Sequence, residues 1–585
     1  MPNLTPYDYA IIAVYFIFMA LIGLGFRKLV GDSSDYFRGG GRMLWWMAGS
    51  SAFMTQFSAW TFTGAASKAY IDGPIILVVF FANALGFFIS FWIVAARFRQ
   101  SRVITPVEAI RRRFGEKNEQ FFTWFQIPIG TMYAGIWLNA LGVFFSAVFG
   151  FDLVATIVVT GAAVLFVSLV GGAWAVSASD FMQVLVLMLI TVVCAAYALF
   201  SLDSPASLIT DFPAPALWGN GIEIPAIVWL WIVAIVIKQI ISVNSLLDSN
   251  RYLCARDTRE AKRAALLAAC LFVIGPIIWF IPPMTAAIQM PELAAIFPQV
   301  EKPSEAAFVA ISAKLLPAGM MGILISGMFA ATMSSMDTGL NRNAGIFVRN
   351  FYLPILRKDA GEKELVQVGR ASTLVMGVMV VGVALFLTKL KDLTLFDIML
   401  QFGALIAMPL SIPLVLGVFY KRTPDWAAWS TVLLGMTISW LLKNYFHPEW
   451  LASFLNLENG FTDRESNDLV LISGVFVIVS VCSAWFFATR LFYKEKPDDR
   501  RQNEVKELFS DFHTPVAVGN EPSGGSSDQQ RKILGYMAAA YGGFIAIMLF
   551  IPNDLSGRAS FAISGLVLGI IGWALIRRSR SGQPN

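Results

Sequence analysis

Met54-Thr55-Gln56-Phe57-Ser58-Ala59-Trp60-Thr61-Phe62-Thr63-Gly64 is a polar run at the centre of an apolar stretch that extends from residue 43 to 69. If this stretch crosses a bilayer, the hydroxyl and amide side chains lie where polar groups are most costly. A helix broken here would free backbone carbonyls, which bind a hard cation when they line a cavity. The same residues also fit an intact helix whose Ser and Thr side chains bond back to the backbone or pack between helices. The run alone does not decide between these interpretations.

The rest of the chain has the composition of a polytopic membrane protein. Of its 585 residues, 57% are apolar and only 14% are charged, whereas soluble domains carry about a quarter charged residues. Apolar stretches near or above the roughly 18 residues that a helix needs to cross hydrocarbon recur from end to end. We therefore predict about fifteen transmembrane helices, at 8–26, 43–69, 73–96, 120–148, 153–170, 181–201, 224–246, 263–288, 317–340, 369–388, 396–419, 425–445, 468–489, 533–551 and 559–576.

The distribution of Lys and Arg predicts how these spans are oriented. Basic clusters follow odd-numbered spans, as at 97–117 after the third and 251–263 after the seventh, whereas 202–223 and 289–304 are poor in Lys and Arg. By the positive-inside rule, this alternation predicts an N-terminus outside and a C-terminus in the cytoplasm. It also explains the net charge of +5 without a nucleic-acid partner. The first residues lack the basic region of a cleavable signal peptide, so we expect none.

The end of the seventh span is a second polar run, which extends from Lys238 and Gln239 through Asn244 to Arg251. This density of polar side chains predicts a helix that unwinds. The span can also simply stop near residue 243, and the sequence weighs these alternatives evenly. Lys238 nevertheless lies too deep in the predicted span to be a flanking residue.

The ninth span contains a third run, in which Ser334, Ser335, Asp337 and Thr338 fall within little more than one helical turn. Ser334 shares a face with Asp337 and Thr338, at spacings of three and four residues. One carboxylate among hydroxyls suits an alkali or alkaline-earth ion rather than a soft metal. The alternative is an aspartate at a helix end that pairs with Arg342.

The sequence offers little that would indicate an enzyme. The four cysteines, Cys194, Cys254, Cys270 and Cys482, have no paired spacing, so neither a disulfide framework nor a zinc site is predicted. We find no compact set of nucleophile, base and metal ligands within the spans. The polar segment 491–531 contains a Gly- and Ser-rich stretch and is predicted to be a flexible cytoplasmic linker, too short for an enzyme module.

Several of these segments resemble the solute:sodium symporter family, which includes sodium/glucose-galactose cotransporters and bacterial sodium/galactose, proline and sialic acid transporters. The similarity extends from about residue 8 to 490, and one departure is Ala173, where the family prefers a larger apolar residue. The landmarks, in order, are Asp35-Tyr-Phe-Arg-Gly-Gly40, Trp45-Trp46, Thr105-Pro-Val-Glu-Ala-Ile-Arg-Arg-Arg-Phe114, Ser168-Leu-Val-Gly-Gly172 leading to Asp180, Asn250-Arg-Tyr-Leu-Cys-Ala-Arg256 with Glu260-Ala261, and Ser334-Ser335.

The resemblance implies an all-α polytopic fold with an inverted repeat of five plus five helices, the LeuT-type fold, and additional flanking helices. The first helix of each repeat is broken at mid-membrane in this family. Those helices correspond here to the second and seventh spans, the two that contain polar runs. The predicted organisation is an N-terminal extra helix and cytoplasmic loop at 1–42, repeats at 43–201 and 224–421, additional transmembrane helices at 425–490, the linker at 491–531 and C-terminal transmembrane helices at 532–585.

The resemblance also implies where sodium binds. The main site would use the carbonyls of Met54, Phe57 and Ala331 with the hydroxyls of Ser334 and Ser335. Some family members hold a second sodium, for which the matching positions are Asp180, Ser334, Asp337 and Thr338. Asp337 stands where those members have a hydroxyl, so the resemblance leaves open whether one or two sodium ions bind.

We therefore expect a sodium-coupled symporter in the inner (plasma) membrane, of bacterial type, that imports a small polar solute by alternating access. A sugar or sugar derivative is the first expectation. Lys238 and Lys68 keep a carboxylate, a sugar acid or an amino acid open, and a transporter-like sensor or a sodium-independent channel is less favoured. The oligomeric state is left open. The residues predicted to contact the solute are Gln56, Ser58, Trp60, Thr61, Phe80, Asn83, Tyr133, Asn139, Asn244 and Gln401, each of which can instead serve packing between helices.

Overall fold

The computed structural model describes residues 4–26, 41–170, 173–215, 218–298, 300–390, 393–457, 459–495, 499–516 and 527–580. Within these ranges the regular secondary structure is helical, apart from one isolated parallel bridge between Met43 and Ala255. The all-α prediction is confirmed. The predicted landmarks at 35–40 and 171–172 lie outside the described residues.

Ten of the described helices are long and apolar enough to cross a membrane, and two shorter apolar helices accompany them. Each of the fifteen predicted spans coincides with a helical segment, but the number that cross the bilayer stays a prediction. The segments of the first half are α1 (Pro6–Phe26), α2 (Trp45–Thr55), α3 (Ala59–Phe62), α4 (Gly64–Asp72), α5 (Leu77–Ile89), α6 (Ala95–Gln100), α7 (Pro106–Phe114), α8 (Glu116–Phe149), α9 (Leu153–Val170) and α10 (Ala173–Phe200).

The second half begins with a helix that stops where its sequence becomes polar. It comprises α11 (Pro225–Val243), α12 (Asn250–Cys254), α13 (Thr258–Trp279), α14 (Ile281–Gln289), α15 (Ala307–Leu315), α16 (Met320–Phe347), α17 (Glu362–Leu387), α18 (Leu395–Phe402) and α19 (Met408–Phe419). Three further long helices follow, α20 (Ala427–Tyr445), α21 (Asp463–Ala488) and, after a short α22 (Arg500–Asp511), α23 (Ser527–Ile547), and the chain ends with α24 (Leu555–Arg580).

Of the two helices predicted to be interrupted, the second span is broken within its length, whereas the seventh stops near residue 243, which is the alternative left open for it. The second span is divided into α2, α3 and α4, because Ser58 adopts an extended conformation (φ −153°, ψ −177°) between the first two. The seventh span ends as an α-helix at Val243, and the chain continues through a short 3₁₀ helix (Leu246–Asp248) into α12.

Close helix packing brings the first break to the centre of the molecule. Helix α13 lies directly against α2, where a Cβ atom on Gly49 would stand only 2.8 Å from the Ala264 carbonyl oxygen. Small residues permit such close approach between membrane helices. Helix α16 crosses the break from the other side, and its residues from Met320 to Leu340 are all buried.

The prediction of a flexible linker over 491–531 needs correction for part of its length. Residues 500–511 form α22, and the Asp511 carboxylate accepts hydrogen bonds from Arg102 at 2.6 Å and Arg112 at 2.7 Å. Arg501 in turn donates to Asp425 at 3.0 Å. Ion pairs with the basic surface around α7 thus hold this helix in place, a tertiary effect that local composition does not reveal. The Gly- and Ser-rich stretch at 519–525 lies outside the described residues.

Candidate functional site

The break between α2 and α3 directs two backbone carbonyls at a serine of α16. The Ser335 hydroxyl oxygen lies 2.9 Å from the Met54 carbonyl oxygen and 2.6 Å from that of Phe57. The Ala331 carbonyl oxygen, one turn earlier on α16, lies 3.3 Å from the same hydroxyl. Four uncharged oxygens therefore meet at one buried point. This is the type of ligand set that a hard cation accepts.

The other side of the break is held by the same helix. The backbone N–H of Ala59, at the start of α3, donates a hydrogen bond to the Thr332 hydroxyl at 2.9 Å. Thr332 and Ser335 are three residues apart and share one face of α16. The Ala59 N–H freed by the break is thus satisfied by Thr332, and the Ser335 hydroxyl of the same helix faces the Phe57 carbonyl. An unpaired backbone group at this depth would cost several kcal/mol, so α16 stabilises the interrupted conformation.

Ser334 faces a different partner, the carboxylate of Asp180 on α10. Asp180 accepts hydrogen bonds from Ser334 and from Ser51 on α2, and the Arg251 guanidinium of α12 lies 3.6 Å from it. All four side chains are buried. Asp180 therefore joins α2, α12 and α16 one turn below the break, on the predicted cytoplasmic side.

Arg251 stands among the residues predicted for a second sodium. Its guanidinium donates to the hydroxyls of Thr338 and of Ser177, the latter at 3.2 Å. The Asp337 carboxylate accepts instead from Ser168 on α9. Of the predicted second-site residues, the structure brings Asp180 and Ser334 together, whereas Thr338 is bonded to the arginine and Asp337 to another helix.

The alternative partner suggested for Asp337 needs correction. Arg342 does not pair with it; the Arg342 guanidinium donates to Asp248 at 3.2 Å. Asp248 lies in the 3₁₀ helix after the seventh span. Its position there depends on the interruption of that span, which brings the chain back toward α16.

A cavity lies beside the break and reaches toward the predicted cytoplasmic side. About 130 Å³ of it is accessible to the centres of water molecules. Aromatic and polar side chains both contribute to its wall, which includes the ion-paired Asp248 and Arg342. Its lining is formed by Thr55, Gln56, Trp60, Val79, Phe80, Asn83, Gln126, Ile129, Tyr133, Trp137, Lys238, Gln239, Ser242, Leu247, Asp248, Arg342, Met399, Leu400, Ala407, Leu410 and Ser411.

Five of the ten residues predicted to contact the solute line this cavity: Gln56, Trp60, Phe80, Asn83 and Tyr133. The other five, Ser58, Thr61, Asn139, Asn244 and Gln401, are not part of its lining.

Three of those five have other roles in the structure. The Asn139 amide donates to the Ala384 carbonyl at 2.9 Å, and the Asn244 amide donates to the Gly86 carbonyl at 3.1 Å. The Ser58 hydroxyl caps α3 by accepting from the Trp60 N–H at 3.3 Å. These polar groups stabilise helix contacts and a helix start, which was the alternative left open for them.

Comparison with known proteins identifies the family to which this arrangement belongs. The profile of the sodium:solute symporter family matches residues 36–435, well over half of the chain. The chain belongs to the sodium:solute symporter family. Membership supports coupling of a small solute to sodium and a multi-pass membrane location, and it indicates a transporter rather than an enzyme.

The chain is similar in sequence to named transporters of other organisms. It is 25% identical over 501 residues to the sodium/myo-inositol cotransporter 2 of Sus scrofa, covering 76% of this chain and 71% of that protein. It is 25% identical over 434 residues to the sodium/sialic acid symporter SiaT of Proteus mirabilis, covering 71% and 85%. The structure of a Na⁺-coupled sialic acid symporter in a substrate-bound, outward-open state superimposes with a TM-score of 0.66 at 21% identity, covering 82% of this chain and 98% of that one. This likeness confirms the predicted LeuT-type fold.

The symporter's cavity is separated from its predicted outer side by two stacked aromatic rings. Trp60 lines the cavity, and its indole N–H donates to the Leu395 carbonyl at 3.0 Å. The ring of Phe396 is stacked on it, with centroids 5.9 Å apart and planes within 8°. Phe396 in turn lines an outer vestibule together with Lys68, Asp72 and other polar residues. The α3–α18 contact therefore divides the outer vestibule from the cavity.

Sequence reasoning missed several residues that the symporter places at these sites. Arg251 was assigned to a basic cytoplasmic segment, although the polar run in which it lies was a signal that it could be buried. Gln126 and Trp137 were missed because α8 is apolar on most sides and offers no periodic signal. Ser411 was missed as well, and Arg342, weighed only as a partner of Asp337, reaches the cavity beside Asp248.

Proposed function

We propose that this protein is a sodium-coupled secondary active symporter that imports a small polar organic solute, a sugar or sugar derivative, by alternating access. The observation that carries this proposal is the convergence of the Met54, Phe57 and Ala331 carbonyls on the Ser335 hydroxyl. A cation bound there would tie the broken helix to α16. It would thereby couple sodium to the position of α3, whose Trp60 lines the cavity.

One sodium ion per cycle is favoured. The Arg251 guanidinium lies 3.6 Å from the Asp180 carboxylate and donates to Thr338, so a permanent cation already occupies the neighbourhood predicted for a second ion. Bringing a second mobile cation beside it would set two like charges close together in a medium of low dielectric. The sodium dependence of uptake should therefore show a Hill coefficient near one.

The solute is proposed to bind in the cavity beside the break. The rings of Trp60 and Phe80 offer flat apolar faces, and Asn83 and Gln126 offer amides that can bond hydroxyl groups. Ligand sites of this type combine apolar walls with a few polar groups that fix orientation. Relatives named as inositol and sialic acid transporters support a polyhydroxylated solute.

Alternating access requires the outer closure to open while the inner side closes. Outward opening would separate α3 from α18, with loss of the Trp60–Leu395 hydrogen bond and the Trp60–Phe396 stack. Closure of the inner side would draw α16 and the segment at 244–256 together around the cavity. Sodium bound between α2, α3 and α16 would act on both movements, because these helices border both gates.

The test is uptake by proteoliposomes that contain the purified protein. Solute should accumulate against its gradient only when sodium is higher outside. A tenfold sodium gradient supplies about 1.4 kcal/mol, and a potential of 100 mV adds about 2.3 kcal/mol for each net charge moved. Replacing Ser334 and Ser335 together by Ala should abolish sodium-dependent uptake. Uptake that follows the solute gradient alone, without sodium, would identify a channel and reject the proposal.

A further inference from the structure

Lys238 is a buried cation at the side of the cavity. Only 6% of the residue is exposed, and it lies on α11 within the predicted seventh span. Its ammonium donates to the Gln239 side-chain oxygen at 3.1 Å. Across the described part of the chain no carboxylate is within ion-pairing distance of it. The carboxylate that shares the cavity lining, that of Asp248, is already paired with Arg342 at 3.2 Å.

Such a residue is unusual in energetic terms. An ammonium removed from water without an opposite charge costs several kcal/mol, and ionisable residues within membrane spans generally mark a solute or ion pathway. Two other cationic side chains within the predicted helical bundle do have carboxylate partners. Arg251 forms an ion pair with Asp180, and Lys68 forms one with Asp72 at 2.5 Å.

The fold makes specific room for the end of this side chain. Helix α18 is followed by one turn of π-helix (Gly403–Ala407), a local irregularity that is frequent at functional sites. A Cβ atom on Gly403 would lie 2.7 Å from the Lys238 Cε and 2.9 Å from its Nζ. Any other residue at 403 would therefore displace the ammonium. The Tyr133 hydroxyl oxygen is also close, at 3.4 Å from the same Cβ position on Gly403.

We propose that the solute is an organic anion whose carboxylate binds the Lys238 ammonium. This inference rests on the proposed function and specifies its substrate class, a sugar acid or a similar polyhydroxylated carboxylate. The carboxylate of the solute supplies the negative charge for Lys238 that the described residues of the protein do not provide. The carbon skeleton then lies against Trp60 and Phe80, and the hydroxyl groups reach Asn83 and Gln126.

The same geometry argues against a zwitterionic amino acid. A bound α-ammonium group would need an acceptor of negative charge. Among the cavity-lining residues the one carboxylate is Asp248, which Arg342 already holds. Recognition of an amino acid would have to break that pair, whereas a carboxylate anion needs no such change.

The experiment measures thermal stabilisation of the purified full-length protein in sodium chloride and in choline chloride. The probes are matched pairs, galacturonate with galactose and gluconate with sorbitol. A cell metabolite extract, divided by anion exchange into retained and unretained fractions, covers solutes outside the panel. Lys238→Met is compared with Lys314→Met, because Lys314 also donates to a glutamine, Gln289 at 3.0 Å, but at the exposed surface.

We expect the acids or the retained fraction to raise the melting temperature in sodium, and their neutral counterparts to have no effect. Lys238→Met should raise the acid concentration for half-maximal stabilisation at least tenfold, as for loss of a charged hydrogen bond. It should leave stabilisation by sodium alone unchanged, and Lys314→Met should behave as wild type.

Stabilisation by the neutral sugars or the unretained fraction alone, unaltered by Lys238→Met, would overturn the inference and leave sodium symport standing. Stabilisation by neither fraction in the presence of sodium also counts against it. Failure of the proposed function would look different, since sodium alone would then cause no shift and no solute would depend on it.

Discussion

Replacement of Ser335 by Ala is the most direct test of the sodium site. The substitution removes the hydroxyl that lies within hydrogen-bonding distance of the Met54, Phe57 and Ala331 carbonyls. These are the side-chain hydrogen bonds of Ser335 in the structure. The alanine methyl group is smaller than the serine side chain and fits the same buried space. The change should therefore act on the ion rather than on the shape of the site.

The expected magnitude follows from the number of ligands involved. A hydrogen-bonding contact to a charged group contributes about 1.5–3 kcal/mol. Loss of one hydroxyl ligand should thus weaken sodium binding about 10- to 150-fold. Without sodium, the substitution leaves the buried Phe57 carbonyl without its hydroxyl partner, which costs about 1–3 kcal/mol. The effect on the ion is therefore measured as the sodium-dependent change of each variant from its own sodium-free baseline.

The assay is a sodium titration of initial uptake rate, combined with a titration of the melting temperature by sodium. Ser326→Ala provides the matched control. Ser326 is buried on the same helix and donates to the Gly322 carbonyl at 2.8 Å, so the substitution removes a buried serine hydroxyl of the same helix without touching the break. A half-saturating sodium concentration that shifts equally in both variants, or in neither, refutes the assignment of Ser335 as an ion ligand.

Other variants test the remaining elements. Arg251→Met should destabilise the protein by about 3–5 kcal/mol because it leaves a buried carboxylate unpaired, while exposed Arg263→Met should cost less than about 1 kcal/mol; equal melting temperatures would contradict this. Lys238→Met should raise the melting temperature of the solute-free protein, since it removes the cost of burying an ammonium without an opposite charge; a lower melting temperature would show that the ammonium has a structural partner. Phe396→Ala removes a stacking contact of about 0.5–1.5 kcal/mol, which should make the outer closure open more often. A cysteine introduced in the cavity by Asn83→Cys should then react about 2- to 10-fold faster with an impermeant thiol reagent added outside, and an unchanged rate would place the closure elsewhere. With a monoanionic solute and one sodium, steady-state accumulation should be insensitive to an imposed membrane potential, and a strong dependence would indicate a second sodium or a neutral solute.

The break in the second span could be predicted because hydropathy and polarity are both local signals. A polar run at the centre of an apolar stretch is visible in the sequence, and so is its counterpart before residue 251. The pairing of the break with Ser335 came from the family resemblance rather than from composition. The structure brings Ser335 within 2.6 Å of the Phe57 carbonyl, 278 residues away in the sequence, but the resemblance had to supply the pairing of these two helices.

The environment of Arg251 could not be predicted in the same way. Its neighbours in sequence are basic and lie between spans, so the orientation rule assigned it to the cytoplasm. The chain instead passes beneath α2, where Met43 donates its N–H to the Cys254 carbonyl at 3.0 Å and accepts from Arg256 at 2.9 Å. This backbone pairing fixes α12 against the interior, and it joins segments more than 200 residues apart.

The amides of Asn139 and Asn244 show a second kind of side-chain environment that the sequence could not predict. A polar side chain within a span signals that it faces protein rather than lipid, but it does not tell whether it faces a cavity or a neighbouring backbone. Both amides donate to carbonyls of adjacent helices, Ala384 and Gly86. The distinction depends on helix rotations of a few tens of degrees, which no local pattern encodes.

The distribution of charge relates the two proposed ligands to each other. Around the break, Asp180 and Arg251 balance each other, and the proposed sodium ligands are uncharged oxygens, so a bound sodium adds one positive charge. At the cavity, Asp248 and Arg342 balance each other and Lys238 is left over, so one anion completes that group. The two proposed ligands thus bring opposite charges into the same buried region. Because isolated charges are costly in a low-dielectric interior, the carrier loaded with both ligands should be favoured over the carrier loaded with either one alone, a physical basis for coupled transport.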